Sequence, residues 1–324
     1  WSSDVCSSDL KHQQTISPVE VKHRSASKKM LDSGMHLAQQ GSYACLVVAG
    51  GQGSRLGFPR PKGFYPISPV KQKTLFQIFA EKVAACSKLL GKDLYLAIMT
   101  SEGYEQEVSD YFKENNYFGL KPNQVDFFSQ GSLPFLDLNG ESFYEVEGLV
   151  AKGPDGNGAS LEHLVKAPFM KKWEDSGVKG FTFIQIDNPL ADPFDFELIA
   201  FHDSNKNQVT IKATERFDPT EKVGLICNVD EKITVLEYSE VGESYKQQRR
   251  KDGSLLYNAA NLSLFCFDLS LVKSACQSNA LPLHRALKSV DHYDPMSKKK
   301  SKVQAYKFEK FIFDILPIAE ANKV

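Results

Sequence analysis

The sequence predicts an α/β fold, a parallel sheet with an antiparallel extension, and three observations carry that prediction. Strand-like apolar runs alternate with helical patterns between Tyr43 and Lys113, an alternation typical of parallel, right-handed α/β sheets. A glycine-rich stretch, Gly50 Gly51 Gln52 Gly53 Ser54 Arg55 Leu56 Gly57, directly follows the first of those runs. From Gln208 onward the texture changes to shorter strand-like runs, which suit antiparallel pairing.

In chain order, residues 1 to 10 have no periodic apolar pattern and are set aside as non-native. Residues 11 to about 30 are polar, with Lys28 and Lys29 read as a solvated helix face. Residues 1 to 40 thus form an N-terminal segment, and the first organised unit is expected at Tyr43. Tyr43 to Ala49 reads as a buried strand, which puts the glycine stretch at a strand's carboxyl end, where open α/β sheets hold ligands. Glycines let backbone N–H groups approach a ligand and form an anion-binding nest. Arg55 within the stretch and Lys62 just after it, in Pro61 Lys62 Gly63, point to a polyphosphate. Neither a dinucleotide fingerprint nor a P-loop is present. Phe58 Pro59 Arg60 Pro61 favours an extended loop over an immediate helix. Taken alone, this stretch favours a phosphate loop only slightly over a glycine-rich surface turn with a solvated arginine.

Thr74 to Gln77 form a Thr-x-x-Gln capping box, and Leu75, Ile78, Phe79, Cys86 and Leu89 recur at helical spacing behind it. Leu94 to Met99 reads as a second strand and Glu105 to Lys113 as a second helix. Phe181 to Ile186 is the most strand-like run, and it ends in Asp187 Asn188 Pro189, which delivers a carboxylate to the same sheet edge as the glycine loop. Val209 to Ala213, Val223 to Asn228, Ile233 to Tyr238 and Ala260 to Phe267 are read as an antiparallel extension covering the site, with a hairpin at Asp230 Glu231. Ser297 to Lys302 reads as an exposed loop. Phe308, Phe311, Ile312, Ile315 and Leu316 read as a closing amphipathic helix with apolar surface to spare.

The 324 residues carry 39 basic and 40 acidic side chains, a net charge of -1, which gives no basic footprint for nucleic acid. No run approaches the roughly 20 apolar residues of a membrane span, and no signal-peptide pattern is present. A small-molecule partner and a cytoplasmic location are expected. The six cysteines are sparse for a disulfide scaffold, and Cys45, Cys227 and Cys266 read as buried reduced thiols.

Gly153 to Ala159 is a second glycine stretch. It reads as a loop approaching a base or ribose, with Asn157 as donor and acceptor, or as an ordinary turn, which is the better reading in isolation. Asp187 is a candidate ligand for a hard cation or simply a strand-terminating aspartate. Lys307 could neutralise phosphate or be solvated. His163 and His284 sit in helical patterns and read as surface or packed histidines. The absence of a Gly-x-Ser-x-Gly elbow argues against covalent catalysis.

Taken together, the blocks resemble one family. They are the glycine loop, Pro61 Lys62 Gly63, Lys73 to Gln77, Tyr117 to Leu120, Phe127 to Gly131, Pro154 to Gly158, Asp187 Asn188, Pro219 to Gly224, Glu237 to Glu240, Asn258 to Asn261 and Phe308 to Asp314. From Gly41 to Ala319 the chain resembles the UDP-sugar pyrophosphorylases, most closely the UDP-N-acetylglucosamine pyrophosphorylase branch.

The resemblance implies a Rossmann-like nucleotidyltransferase fold, with a mixed, mostly parallel sheet, helices on both faces and an antiparallel β extension. It implies a catalytic domain over 41 to 319, without the family's further C-terminal region. The implied reaction is transfer of UMP from UTP to N-acetylglucosamine 1-phosphate, giving UDP-N-acetylglucosamine and pyrophosphate, with magnesium.

By the same resemblance, Arg55, Lys62 and Lys307 are catalytic. Gly50, Gly51, Gly53, Lys62, Gln130, Gly156 and Asn157 bind UTP. Asn188, Gly224, Glu237 and Asn261 line the sugar pocket, and Asp187 associates with the metal. A monomer or weak homo-oligomer without nucleic-acid or membrane partners is expected. Ser54 stands for the family's usual threonine, and Ala159 and Ala260 for usual glycines, which bears on sugar specificity more than on the reaction. The alternatives are glucose 1-phosphate or galactose 1-phosphate as acceptor, and a non-catalytic UDP-sugar-binding protein. A glycosyltransferase is disfavoured by the lack of an Asp-x-Asp motif.

Overall fold

The computed structural model describes residues 15–19, 21, 27–53, 56–238, 240–320 and 322–324. In chain order the elements are β1 (Ile16–Pro18), α1 (Lys28–Gln39), β2 (Tyr43–Ala49), α2 (Leu75–Leu90), β3 (Leu96–Thr100), α3 (Glu105–Glu114), β4 (Val125–Ser129), β5 (Ser132–Pro134), β6 (Tyr144–Val146), β7 (Leu149–Val150) and β8 (Lys152–Pro154). There follow α4 (Ala159–Lys166), α5 (Met170–Asp175), β9 (Gly180–Gln185), α6 (Phe196–Ser204), β10 (Val209–Glu215), β11 (Leu225–Val229), β12 (Lys232–Leu236), α7 (Glu243–Lys246), β13 (Ala259–Asp268), α8 (Leu269–Gln277), β14 (His284–Asp294) and β15 (Lys299–Glu309).

Every residue of β2 is buried, as a strand covered on both faces requires. Because side chains alternate along a strand, β2 feeds two cores. Ala44, Leu46 and Val48 join Leu161, Trp173, Val272 and Ile312 on one face. Tyr43, Cys45, Val47 and Ala49 join Phe76, Phe79, Phe112 and Ile199 on the other. Helices therefore cover both faces. The Thr74 hydroxyl caps α2 by accepting the Gln77 N–H, but the Gln77 side chain turns to Glu81, so only half of the expected capping box forms.

The central sheet runs β1-β11-β13-β9-β2-β3-β4, with β10 on β13 and β12 on β11. Strands β9, β2, β3 and β4 are parallel neighbours. Beyond β9 the partners are antiparallel, beginning with Phe265 opposite Phe183. The antiparallel extension thus continues the sheet edge-on, where it was expected to cover the site. Phe265 and Phe267 are fully buried and pack on Phe181 and Phe183, an arrangement that needs β13 beside β9. Asp230 and Glu231 form the expected hairpin turn with φ of 49° and 66°, the two positive angles that a tight two-residue turn demands.

A second sheet, β15-β14-β6-β7, corrects two readings of the sequence. Lys299 to Lys302 belong to β15, where Lys299 and Lys302 stand opposite Asp294 and Asp291; cross-strand charge pairs stabilise a segment that looks like a solvated loop by itself. His284 lies in β14 and Phe308 in β15, neither in a helix. The closing segment is a 3-10 helix, Ile312–Ile318, and its Ile312, Ile315 and Leu316 are buried. A spacing of three suits the three-residue turn of that helix, and the expected surplus of apolar surface is absorbed by the first core.

The N-terminal segment also holds more than expected. Ser27 caps α1, and α1 packs so closely on α6 that a Cβ on Gly34 would stand 1.9 Å from the Phe196 carbonyl oxygen. Residues 1 to 10 lie outside the described residues. Cys45 and Cys266 are fully buried free thiols, and burial pushes the Cys45 thiol up to about 12. Among the described residues no helix is long and apolar enough to cross a membrane.

Candidate active site

Four parallel strands end together. Ala49 pairs with Thr100, Thr100 with Ser129, and Val48 with Gln185. The residues just beyond them, Gly50, Ser101, Gln130 and Asp187, therefore stand along one edge of the sheet, where ligands of open α/β folds bind. Ser101, which the sequence reading missed, donates its hydroxyl to the Gly50 carbonyl at 3.0 Å. Its signal was available: it follows an apolar run by the same rule that picked out Gly50 and Asp187.

The first glycine loop folds back on itself. Gly53 N–H donates to the Arg60 carbonyl and Lys62 N–H to the Gly51 carbonyl, each at 3.0 Å. A Cβ on Gly53 would meet the Arg60 and Phe58 carbonyl oxygens at 2.7 and 2.8 Å, so this narrow ladder closes around glycine only. The fold-back returns the Lys62 side chain over Gly51, its Cε 3.5 Å from where a Gly51 Cβ would stand. Lys62 Nζ then donates to Asp187 Oδ2 at 2.6 Å. The Lys62 and Asp187 side chains remain 22% and 46% exposed, so the pair is open to a ligand. Arg55, with Ser54, lies outside the described residues.

Gln130 joins the two glycine stretches. It is buried, its Oε1 occupies the space a Cβ on Gly50 would need (1.8 Å), and its Nε2 donates to the Gly156 carbonyl at 3.4 Å. Gly156 has a φ of +94° and lies against the Lys310 carbonyl, 2.3 Å from its absent Cβ, so both its conformation and its surroundings exclude a side chain. Asn157 is also tied to the end of the chain. Its Oδ1 accepts the Ile312 N–H at 3.0 Å, which uses one of the oxygen's two acceptor positions on the chain's closing helix.

Three of the sugar-pocket candidates also converge. Asn261 N–H donates to the Gly224 carbonyl at 2.9 Å, and a Cβ on Gly224 would stand 3.7 Å from Glu237 Oε1. Burial, with Glu240 and Glu309 nearby, pushes the Glu237 carboxyl above the ordinary carboxylate range. The Asn188 backbone is tied into the turn after β9, its N–H donating to the Gln185 carbonyl and its carbonyl accepting the Ala191 N–H.

Lys307 is paired with Glu309 at 2.6 Å, not with Asp187, and its Cε lies 3.5 Å from the Cβ position of Gly153. Since Glu309 also acts on Glu237, Lys307 is linked to the sugar trio through a buried carboxylate the sequence reading did not single out. His163 and His284 are packed histidines that face Asp155 and Asp314, each at 2.7 Å. A cavity of about 590 Å³ lies against β10, between residues such as Met30, Phe201 and Val324, and none of the candidate site residues lines it.

The family model described as UTP–glucose-1-phosphate uridylyltransferase matches residues 6–306. The chain is 34% identical over 302 residues to the UDP-N-acetylglucosamine pyrophosphorylase of Saccharomyces cerevisiae, covering 90% of this chain and 63% of that protein. It is 33% identical to the human UDP-N-acetylhexosamine pyrophosphorylase-like protein 1, covering 89% of this chain and 59% of that one. The structure of the uridine diphosphate N-acetylglucosamine pyrophosphorylase from Trypanosoma brucei, in complex with inhibitor, superposes with a TM-score of 0.82 at 29% identity. That match covers 91% of this chain and 59% of the trypanosomal one. The chain thus spans about three-fifths of the length of these relatives. With the family model matched over most of its length, the chain belongs to the UTP–glucose-1-phosphate uridylyltransferase family.

Proposed function

We propose that the shared edge of β2, β3, β4 and β9 is the active site of a uridylyltransferase that transfers UMP from UTP to N-acetylglucosamine 1-phosphate. The Lys62–Asp187 pair beside Gly51 carries this reading. A sugar phosphate oxygen attacks the α-phosphorus, the bond to the β-phosphate oxygen breaks, and pyrophosphate leaves. The nucleophile is already anionic, so no general base is required; the barrier lies in bringing two polyanions into line. Lys62 and the N–H groups of the glycine loop reduce that repulsion, and Arg55 adds a second cation by the family resemblance. Gln130 and the Gly156 backbone form the side of the site suited to the base.

Asp187 fits a magnesium ion, because its Oδ1 carries no hydrogen bond among the described residues and magnesium on phosphates needs only one or two protein carboxylates. When bound there, the ion would offset phosphate charge. Lys62 already sits where it can hand its charge from Asp187 to a phosphate. The names of the yeast and trypanosomal relatives support N-acetylglucosamine as the sugar. A cytoplasmic location rests on the buried, unpaired thiols.

The test is pyrophosphate release from UTP and magnesium with N-acetylglucosamine 1-phosphate, glucose 1-phosphate or galactose 1-phosphate in parallel. Release with the first alone is the expected result. Release only with another sugar would reassign the acceptor, and UTP binding without release from any sugar would favour a non-catalytic UDP-sugar-binding protein.

A further inference from the structure

Among the described residues, His163 is the histidine placed between the two turns that flank the proposed base site. It rises from α4, and its Nε2 meets two groups at once: Asp155 Oδ2 at 2.7 Å and the Gly131 N–H at 3.1 Å. Gly131 directly follows Gln130, and Asp155 directly precedes Gly156. The same two turns are joined by a backbone bond, Asp155 N–H to the Gly131 carbonyl at 3.2 Å, at the end of the β5–β8 pairing.

The fit is mutual. A Cβ on Gly131 would stand 2.5 Å from Asp155 Oδ2 and 2.8 Å from His163 Nε2, so the imidazole and carboxylate occupy the space that a side chain at 131 would take. Asp155 is 8% exposed, and its Oδ1 is buried without a partner among the described residues. A buried carboxylate of that kind is costly unless its other oxygen is well held, and His163 is the side chain that holds it. Nε2 bonds one of these neighbours at a time, donating to Asp155 when it carries the proton and accepting from the Gly131 N–H when it does not, and in either state the ring fills the space between the two turns.

We propose that His163 is a positioning residue of the nucleobase pocket. It latches the Gln130–Gly131 turn to the Asp155–Gly156 turn and thereby fixes the separation of the two groups that recognise uracil. This rests on the uridylyltransferase reading given above. His163 touches neither the phosphates nor the sugar in that reading, so its loss should act on the nucleotide alone.

The test is calorimetric titration of UTP and of CTP into wild type, His163→Ala, His163→Gln and His163→Asn, with steady-state kinetics and melting curves on the same proteins. The glutamine amide reaches the Nε2 position and can both donate and accept, whereas the asparagine amide is too short. Loss of one buried hydrogen bond corresponds to about a tenfold change. His163→Ala and His163→Asn should therefore raise the Kd and KM for UTP about tenfold and narrow the UTP-over-CTP preference, with kcat and the sugar phosphate KM unchanged, and His163→Gln should restore both.

Wild-type UTP affinity and base preference in His163→Ala would overturn the latch while leaving the uridylyltransferase reading intact. Failure of the wild-type protein to bind UTP would overturn that reading and the latch with it. If His163→Ala does not fold, the glutamine and asparagine variants decide: equal UTP affinity in those two would overturn the latch.

Discussion

Lys62 sits in a half-open ion pair with Asp187, and the physical question is what that pair does when a triphosphate arrives. An exposed pair of this kind contributes little to stability, about 0 to 1 kcal/mol, so Lys62 is not needed for folding. Lys62→Ala should leave the melting temperature nearly unchanged while kcat falls by roughly 100-fold, in the range seen when one preorganised electrostatic group is removed. Melting curves beside a pyrophosphate-release assay check both halves, and wild-type turnover would remove Lys62 from the mechanism.

Glu237 gives a pH prediction of opposite kind. Its carboxyl is raised by burial and then by Glu240 and Glu309, so the folded state holds that proton more tightly than the unfolded state does. Its contribution to stability is complete below the unfolded carboxylate pKa and is lost as pH rises through the folded value. Glu237→Gln should therefore melt above wild type at about pH 8, and the difference should shrink as pH falls toward about 4. A constant difference across that range would mean that the raised carboxyl is not what costs stability. At the residue scale, the glycines, Lys62 and Asp187 were legible as types that suit phosphate. The commitment of Asn157 to Ile312 and of Lys307 to Glu309 was not, since each partner lies in another part of the fold.

Among the elements, α1 shows how packing can overrule propensity. Gly34 sits in mid-helix, where alanine would be favoured by up to about 1 kcal/mol. Yet a Cβ there would collide with the Phe196 carbonyl oxygen at the start of α6. Overpacking of this kind costs about 1 to 3 kcal/mol, so Gly34→Ala should lower stability despite the gain in helix propensity. Denaturant unfolding of the two proteins checks the sign; a stabilised variant would show that α1 can shift away from α6 without loss. Strands β2 and β9 were legible to within a residue because a strand buried on both faces reads as an unbroken apolar run. Strand β15 was not, because its lysines gain their reason to be in a strand from Asp291 and Asp294 across the hairpin.

Across the molecule, the sheet and its two cores couple segments far apart in sequence. The closing helix packs Ile312, Ile315 and Leu316 into the core that also holds Phe265, Phe267 and Trp173, and through Asn157 it anchors the second glycine stretch. Leu316→Ala should cost about 2 to 5 kcal/mol as a buried large-to-small change. Because that core lies on the central sheet, the whole transition should shift down in temperature as a single peak. Calorimetry that resolved a separate early transition would show the closing segment melting on its own.

The sequence by itself determined the α/β alternation, the strand ends that carry the glycine loop and Asp187, and the family blocks, because these depend on side-chain periodicity and on residue types needed within a few positions. Only the tertiary structure decided that the antiparallel strands extend the sheet, that Lys62 meets Asp187 across 125 residues, and that Gly131, Asp155 and His163 close on one another. Those outcomes depend on register between strands and on the space left between packed elements, and neither is encoded at any single stretch of chain.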